Sequence, residues 1–216
     1  MRCLYCHNRD SWDLKGGHKK TTDELMPEIL SYKPFFNASG GGVTVSGGEP
    51  LLQAKFVADL FEKLKAEGIH CCLDTNGFAK EINDDIKRVV ELADLVLLDV
   101  KHTDDAKHLE LTHQHLDNTM RFANYLAEVK KPTWVRRVVV PGYSDDPAEV
   151  EALAKQCQAW GNVEKLELLP LHQLGSYKWE ELNADYALKD CPVPTKEQMK
   201  SLAELAAPYL PQVTHT

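Results

Sequence analysis

Residues 95–102 read LVLLDVKH, and this stretch decides the fold class. A short apolar run followed at once by polar residues is typical of a buried strand in a parallel sheet. Asp99 and Lys101 stand two positions apart at the end of the run, so their side chains point to the same side of the strand. The pair suits either a polar ligand or a structural ion pair.

Similar runs recur along the chain and alternate with helical patterns. The predicted strands are Val43–Ser46, Ile69–Asp74, Leu95–Val100, Trp134–Val140 and Lys165–Leu169. Between the first two, Phe56, Leu60 and Leu64 have the spacing of an amphipathic helix. Strands separated by helices pair in parallel through right-handed crossovers. The sequence therefore predicts an α/β fold, either an open sheet or a (β/α) barrel, with ligands beyond the carboxyl ends of the strands.

Two further patterns predict where helices run. Ile82, Ile86 and Val90 recur every four residues, which predicts one helix through all three. Thr195 and Gln198 have the spacing of a capping box and predict the start of another helix.

Composition bounds the class of protein. The chain has 216 residues, 43% of them hydrophobic, and a formal net charge of −8 at pH 7, which suits one domain with a sizeable core. The acidic balance argues against nucleic acid as a partner. The longest apolar runs are too short to span a bilayer, and no signal peptide pattern is present. We expect a cytoplasmic protein without a membrane partner.

Six cysteines are too sparse for a disulfide scaffold, and Cys3 and Cys6 alone have a spacing that suggests chemistry. The C-x-x-C pair does not follow a strand, as a thioredoxin-type motif does. A structural zinc site needs a second pair of ligands. An iron–sulfur site needs at least one more cysteine. By itself the motif leaves these alternatives open.

Polar residues follow two other predicted strands. Gly47 and Gly48 allow the backbone to approach a ligand closely, and Glu49 offers a carboxylate to a cation. Taken alone, this G-G-E stretch is more typical of a tight turn. His172 follows the last predicted strand, where a histidine on its own is more often a hydrogen-bonding residue than a catalyst.

Arg136 and Arg137 are consecutive in a predicted strand, so one of them points inward. An inward arginine in a barrel is expected to meet an anion or a carboxylate, because leaving it unpaired is costly.

Together the motifs resemble a known family. The stretches CLYCHN, SGGEP, LDTNG, LLDVKH and ELLPLHQLGSYKW, in this order, resemble the radical S-adenosylmethionine (SAM) superfamily, and most closely its glycyl-radical-enzyme activases of the pyruvate formate-lyase type. Cys3 and Cys6 match the second and third cysteines of the C-x-x-x-C-x-x-C signature. The first cysteine, and the first barrel strand of the family, would precede Met1.

The resemblance implies a partial (β/α)6 barrel in which residues 1–216 form a single radical SAM domain, truncated at its N-terminus. Three explanations would account for the missing first cysteine and strand: a start assigned to an internal methionine, a fragment, or a genuinely truncated paralogue. We expect the chain as written to be inactive without upstream residues. Cys3 and Cys6 also lie near a chain terminus, where little is expected to hold them in place.

The resemblance also implies roles for individual residues. Cys3 and Cys6 are expected to bind a [4Fe–4S] cluster, and with Lys101 they are the expected catalytic residues. The expected SAM-binding residues are Tyr5, Cys6, His7, Gly47, Gly48, Glu49, Asp99, Val100, Lys101 and His172. Among them Lys101 suits the SAM carboxylate, Asp99 the ribose and Tyr5 the adenine.

The implied activity is reductive cleavage of SAM at the cluster to a 5′-deoxyadenosyl radical, which generates a glycyl radical on pyruvate formate-lyase. Arg136 or Arg137 is a candidate anchor for the substrate loop. A flavodoxin-type reductant is expected by analogy. The alternatives are an activase of another glycyl radical enzyme and a non-catalytic paralogue that binds SAM or the lyase. No cysteine lies between Cys6 and Gly47, which favours the simpler pyruvate formate-lyase type.

Overall fold

The structure, a computed structural model, describes residues 1–12 and 17–215. Within them six strands form one sheet in the order β1-β2-β3-β4-β5-β6, and every neighbouring pair is parallel. The strands are β1 (Gly42–Val45), β2 (His70–Thr75), β3 (Leu95–Asp99), β4 (Thr133–Val139), β5 (Val163–Pro170) and β6 (Val213–His215). The fold is therefore α/β, and the consecutive parallel order is that of a partial (β/α) barrel.

Helices join the strands and cover one face of the sheet. They are α1 (Thr22–Ser31), α2 (Lys33–Ser39), α3 (Ala54–Ala66), α4 (Asp84–Leu92), α5 (Asp105–Thr112), α6 (Asp117–Glu128), α7 (Pro147–Trp160), α8 (Ser176–Glu181) and α9 (Lys196–Ala206). Among the helices of the described residues, none has both the length and the apolar character needed to cross a bilayer.

The predicted strands are confirmed, with their ends displaced by no more than two residues. β6 was not predicted, because three residues after a proline carry little periodicity. The helix predicted through Ile82 begins later than expected, at Asp84. Asn83 accepts a hydrogen bond from the Ile86 backbone N–H and so caps the helix, leaving Ile82 in the preceding loop. The capping box of Thr195 and Gln198 is confirmed.

The two faces of the sheet differ, as β4 shows. Val135, Arg137 and Val139 are fully buried on the side of the helices, whereas Trp134 and Arg136 are half-buried on the other side. Val135 and Val139 belong to the main apolar core, which the helices share. The helix-facing surface of the sheet therefore supplies the core, and the inner surface is free to carry polar groups.

The first two strands approach so closely that one position requires glycine. Gly42 pairs with His70, and a Cβ atom added at Gly42 would collide with the backbone carbonyl of His70. At the neighbouring Gly41 an added Cβ meets only the side-chain Oγ of Ser39, at 3.0 Å, which can rotate away.

We predict that Gly42→Ala lowers the free energy of unfolding by about 1–3 kcal/mol, because β1 must shift away from β2. Gly41→Ala is the matched control and should change it by no more than about 0.5 kcal/mol. Urea denaturation of both variants measures the difference. Equal effects would contradict the close approach.

Candidate active site

A row of alternating charges lies at the carboxyl ends of β2 and β3 and in the middle of β4. Arg136 donates from Nε to Asp99 Oδ1 at 3.0 Å and forms a second ion pair with Asp74. Lys101 Nζ donates to Asp99 Oδ2 at 2.8 Å. The register of the sheet explains the row, because Asp99 stands directly opposite Arg136 in the neighbouring strand. Two carboxylates and two cations thus neutralise one another at this edge of the sheet.

The pKa values reflect this pairing. Burial by itself would raise the pKa of Asp99, but Lys101 and Arg136 outweigh it and lower that pKa below its ordinary value. Burial would lower the pKa of Lys101, yet the Asp99 carboxylate raises it above the ordinary value. Both groups are therefore charged at neutral pH, and the ammonium of Lys101 is a fixed cation at the strand end.

The C-x-x-C segment lies against this charged row. The ring of Tyr5 is 5.5 Å from Lys101 Nζ, within reach of a cation–π interaction. Tyr5 is 6% exposed and Cys3 9% exposed. Burial raises the pKa of the Cys3 thiol, an effect that Lys101 partly offsets. The structure therefore brings Cys3 and Tyr5 to the Asp99–Lys101 pair, although nearly a hundred residues separate them in sequence.

The expectation that little holds this segment in place is wrong. The backbone N–H groups of Arg2 and Leu4 donate to the carbonyls of Thr112 and Leu111 at the end of α5, each at 3.0 Å. Cys3 and Tyr5 also pack into a second apolar cluster, whose other buried members are Leu111, Val140, Leu171, Trp179, Tyr186 and Leu188. Burial of these side chains stabilises the segment in spite of its terminal position.

His7 and His172 meet beside the cysteines. The Nε2 atom of His7 lies 3.0 Å from the His172 carbonyl oxygen, and the two ring centroids are 3.9 Å apart. His172 is on the exposed loop after β5. The loop after the fifth strand thus reaches the residue that follows Cys6.

The G-G-E stretch forms the turn that its sequence favours. Glu49 is 8% exposed, and its carboxylate accepts hydrogen bonds from Leu51 N at 3.0 Å, Thr75 Oγ1 at 2.6 Å and Asn76 N at 3.0 Å. Burial raises the pKa of Glu49, and these hydrogen bonds oppose the rise. Glu49 therefore ties the end of β1 to the end of β2.

The two glycines before Glu49 differ in their surroundings. Gly47 has a φ of +136°, which favours glycine, and an added Cβ there would meet open space. An added Cβ at Gly48 would touch Ser11 at ordinary contact distance. The turn after β1 therefore faces the short 3-10 helix Arg9–Trp12, close to the cysteine segment.

The Val100 side chain points away from these groups. It is fully buried in the main apolar core, and its backbone N–H donates to the Arg136 carbonyl at 3.0 Å. Of the ten residues expected at the site, Val100 is thus the one whose side chain serves only the core.

The second arginine of β4, Arg137, binds the backbone of Lys101 from the helix-facing side of the sheet. Arg137 is fully buried, donates from Nη2 to the Lys101 carbonyl at 3.3 Å and pairs with Glu149 of α7 at 3.4 Å. Burial lowers the pKa of Arg137, and Glu149 opposes this. The same Glu149 oxygen accepts from Thr103 Oγ1 at 2.6 Å. Arg136 is thus the inward arginine, and Arg137 finds its carboxylate on the helix side.

Several of these contacts were missed from the sequence. Glu149, Thr103 and Trp179 gave no signal of their own. Two adjacent arginines in one strand do require a carboxylate on each side of the sheet, but they do not say which element supplies it. Asp74 stood in the quoted LDTNG stretch, at the end of a predicted strand, and its position was a usable signal.

Comparison with known proteins identifies the family. The model of the radical SAM superfamily matches residues 1–156. The chain belongs to the radical SAM superfamily. Among curated relatives, the pyruvate formate-lyase 1-activating enzyme of Escherichia coli K12 is 48% identical over 209 residues, which are 97% of this chain and 85% of that protein. The pyruvate formate-lyase-activating enzyme of Staphylococcus aureus USA300 is also 48% identical, over 93% of this chain and 82% of its own length.

Solved structures share the fold. A domain of pyruvate-formate lyase-activating enzyme from Bacteroides vulgatus has a TM-score of 0.68 at 22% identity, covering 82% of this chain and 99% of that one. Streptococcus suis SuiB bound to S-adenosylmethionine has a TM-score of 0.70 at 16% identity, covering 100% of this chain and 47% of that one. At these identities the likeness concerns the fold alone.

The superfamily implies a [4Fe–4S] cluster and SAM, and the residues present fit the cluster in part. The Cys3 and Cys6 thiols have the donor chemistry that iron–sulfur clusters take. No group of three or more histidine, cysteine, aspartate or glutamate residues that could hold a metal ion occurs within residues 1–12 and 17–215. Cys3 and Cys6 are therefore candidates for two of the ligands, and the described residues do not place a third candidate beside them.

We predict that Glu149→Gln lowers the free energy of unfolding by about 3 kcal/mol, because it leaves the buried guanidinium of Arg137 without a counter-ion. Glu151→Gln, at a half-buried position of the same helix where the carboxylate pairs with the more exposed Lys155, is the matched control and should cost less than about 1 kcal/mol. Adding Arg137→Met to Glu149→Gln should recover much of the loss, since no unpaired charge then remains. Denaturant unfolding of the four proteins gives the comparison, and equal losses for the two glutamate variants would contradict it.

Proposed function

We propose that this chain activates pyruvate formate-lyase by generating a glycyl radical on it. The observation that carries the proposal is the meeting of Cys3 and Tyr5 with the Asp99–Lys101 pair at the carboxyl ends of the strands. Two curated relatives at 48% identity bear the name of pyruvate formate-lyase-activating enzymes. When bound, the [4Fe–4S] cluster and SAM would together supply a 5′-deoxyadenosyl radical.

The charged row suits the amino-acid part of SAM. Lys101 is a buried, fixed cation that would take the SAM carboxylate. Asp99 lies beside it and would accept from the ribose hydroxyls. Glu49, with Gly47 and Gly48, would receive the amino group, and the raised pKa of the Glu49 carboxyl is what a nearby ammonium would lower.

The C-x-x-C segment suits the other parts of the cofactors. Cys3 and Cys6 would ligate iron. The buried hydroxyl of Tyr5 has no hydrogen-bond partner within residues 1–12 and 17–215, and an adenine nitrogen would satisfy it. His7 and His172, stacked beside Cys6, would line the same side. Cys3 and Tyr5, which are buried, would help to exclude water from the strand end, as radical chemistry requires.

The inner face of the sheet suits a protein loop as substrate. Arg136 is half-buried there and carries the inward charge of the row, where a backbone carbonyl of the substrate loop would meet it.

We propose residues 1–216 as a single domain and a flavodoxin-type protein as reductant. Thiols that ligate iron persist in a reducing compartment, which places the protein in the cytoplasm under this proposal.

We predict that Lys101→Ala weakens SAM binding more than tenfold, which corresponds to roughly 1.5–3 kcal/mol for a charged hydrogen bond to the SAM carboxylate. Lys65→Ala removes another lysine–aspartate ion pair, to Asp94 at 2.6 Å, and is the control that should leave SAM affinity unchanged. Anaerobic titration calorimetry measures both. Equal affinities of the two variants would reject the assignment of Lys101.

We predict a glycyl radical signal by electron paramagnetic resonance when the protein, extended upstream of Met1 to include the first cysteine of the signature, is reconstituted and incubated with SAM, a reductant and pyruvate formate-lyase. The chain as written is the comparison and should give no signal without an added thiol. Because Cys3 and Cys6 supply two thiolates, reconstitution is done with and without 2-mercaptoethanol, whose thiolate can occupy a further iron site. A lyase whose radical-bearing glycine is replaced by alanine is the control. SAM cleavage without a radical would indicate another substrate, and a protein that binds SAM without cleaving it would support a non-catalytic role.

A further inference from the structure

We propose that Trp179 and Gly175 are positioning residues that hold Cys6 in place for iron binding. The inference rests on the proposed function, since it concerns a residue expected to ligate the cluster. It assigns a role to Gly175–Trp179, called here the α8 clamp, which consists of α8 up to Trp179 and the glycine before it.

The indole of Trp179 reaches the backbone of Cys6. Its Nε1–H donates to the Cys6 carbonyl oxygen at 2.9 Å, and the residue is 6% exposed. The bond is therefore shielded from water, which would otherwise compete for the carbonyl. A second ring, that of Tyr186, packs on Trp179 with its centroid 5.3 Å away and fixes the indole.

Gly175 allows the backbone to come this close. A Cβ atom added there would lie 2.7 Å from the Cα of His7 and 2.9 Å from its Cδ2. The first of these is a backbone atom next to Cys6, so a side chain at 175 would push the segment away. The φ of Gly175 is −93°, which any residue adopts. Glycine is therefore required by contact and not by conformation.

A second layer of contacts holds the residues after Cys6. Lys178 pairs with Asp10 at 3.0 Å. The guanidinium of Arg9 lies beside both indoles, 4.2 Å from the Trp12 ring centroid and 5.4 Å from that of Trp179. The Trp12 and Trp179 rings also meet edge to face at 5.3 Å. The α8 clamp thus contacts the segment at Cys6, Arg9 and Asp10.

The two cysteines are consequently held from different sides. The end of α5 fixes the backbone around Cys3, through Arg2 and Leu4, whereas the α8 clamp fixes Cys6. Groups around metal ligands orient the ligands and tune metal binding. The placement of α8 relative to α5 therefore sets how the Cys6 thiol stands with respect to the Cys3 thiol.

Trp179→Phe tests the proposal on the metal-free protein, because it keeps an aromatic ring and removes the N–H donor, together with part of the volume of the indole. Iodoacetamide alkylation, followed by mass spectrometry, should show Cys6 reacting about fivefold faster, the change expected for one net hydrogen bond. Cys191 is a second half-buried thiol that borders the same apolar cluster and serves as internal reference. Trp160→Phe is the matched control, since its indole donates to Asn124 at the same 2.9 Å far from Cys6.

A selective rise at Cys6 supports the proposal. Unchanged alkylation of Cys6, or an equal rise at Cys6 and Cys191, overturns it, because the latter reports general loosening. If Trp179→Phe does not fold, Lys178→Gln gives the second measurement. Hydrogen exchange at residues 8–10 should become faster while the melting temperature stays constant. Unchanged exchange counts against the α8 clamp.

The iron readout separates this proposal from the proposed function. After reconstitution, Trp179→Phe should lose iron to a chelator several-fold faster than Trp160→Phe. If Trp179→Phe exposes Cys6 and loses iron faster, as expected, but the unsubstituted protein generates no radical on pyruvate formate-lyase, the α8 clamp is supported and the proposed function fails. If iron loss is equal in the two variants, the positioning role fails whatever the activity.

Discussion

The Asp99 carboxylate is the group on which the candidate site depends. One of its oxygens binds Arg136 of β4 and the other binds Lys101, two residues after the end of β3, so a single anion holds two cations. Without it, two like charges would share a half-buried layer, which is unfavourable. The strand order matters for the same reason, because only the parallel register of β3 and β4 sets Asp99 opposite Arg136.

The alternation of β4 extends this logic to both faces of the sheet. Arg136 and Arg137 are neighbours in sequence and point to opposite sides, and each reaches a carboxylate from another element. The inward charge is neutralised within the sheet and remains close to the site. The outward charge is neutralised by Glu149 of α7, and its guanidinium then holds the Lys101 carbonyl. The helix layer thereby supports the backbone that presents the ammonium of Lys101.

The sequence predicted the features that have local causes. Strand runs and helix spacing are short-range patterns, so β1 to β5 were found, and the rule that ligands lie beyond strand ends placed Asp99 and Lys101 correctly together. β6 escaped because three residues after Pro211 carry no usable period. The contacts of Glu149 and Trp179 were not predicted for another reason. Their partners are distant in sequence, and no property of either residue indicates which partner it contacts.

The cysteine segment shows that a position near the end of a chain is weak evidence that a segment is disordered. Terminal residues are poorly ordered when nothing ties them down, and this segment is tied from two sides. Its apolar residues, Cys3 and Tyr5 among them, leave water on packing against the second cluster, and its carbonyls and N–H groups find partners on α5 and α8. Neither α5 nor α8 adjoins the segment in sequence. The order of this part of the site is therefore a property of the assembled fold, because residues far from the cysteines in sequence hold the backbone on either side of them.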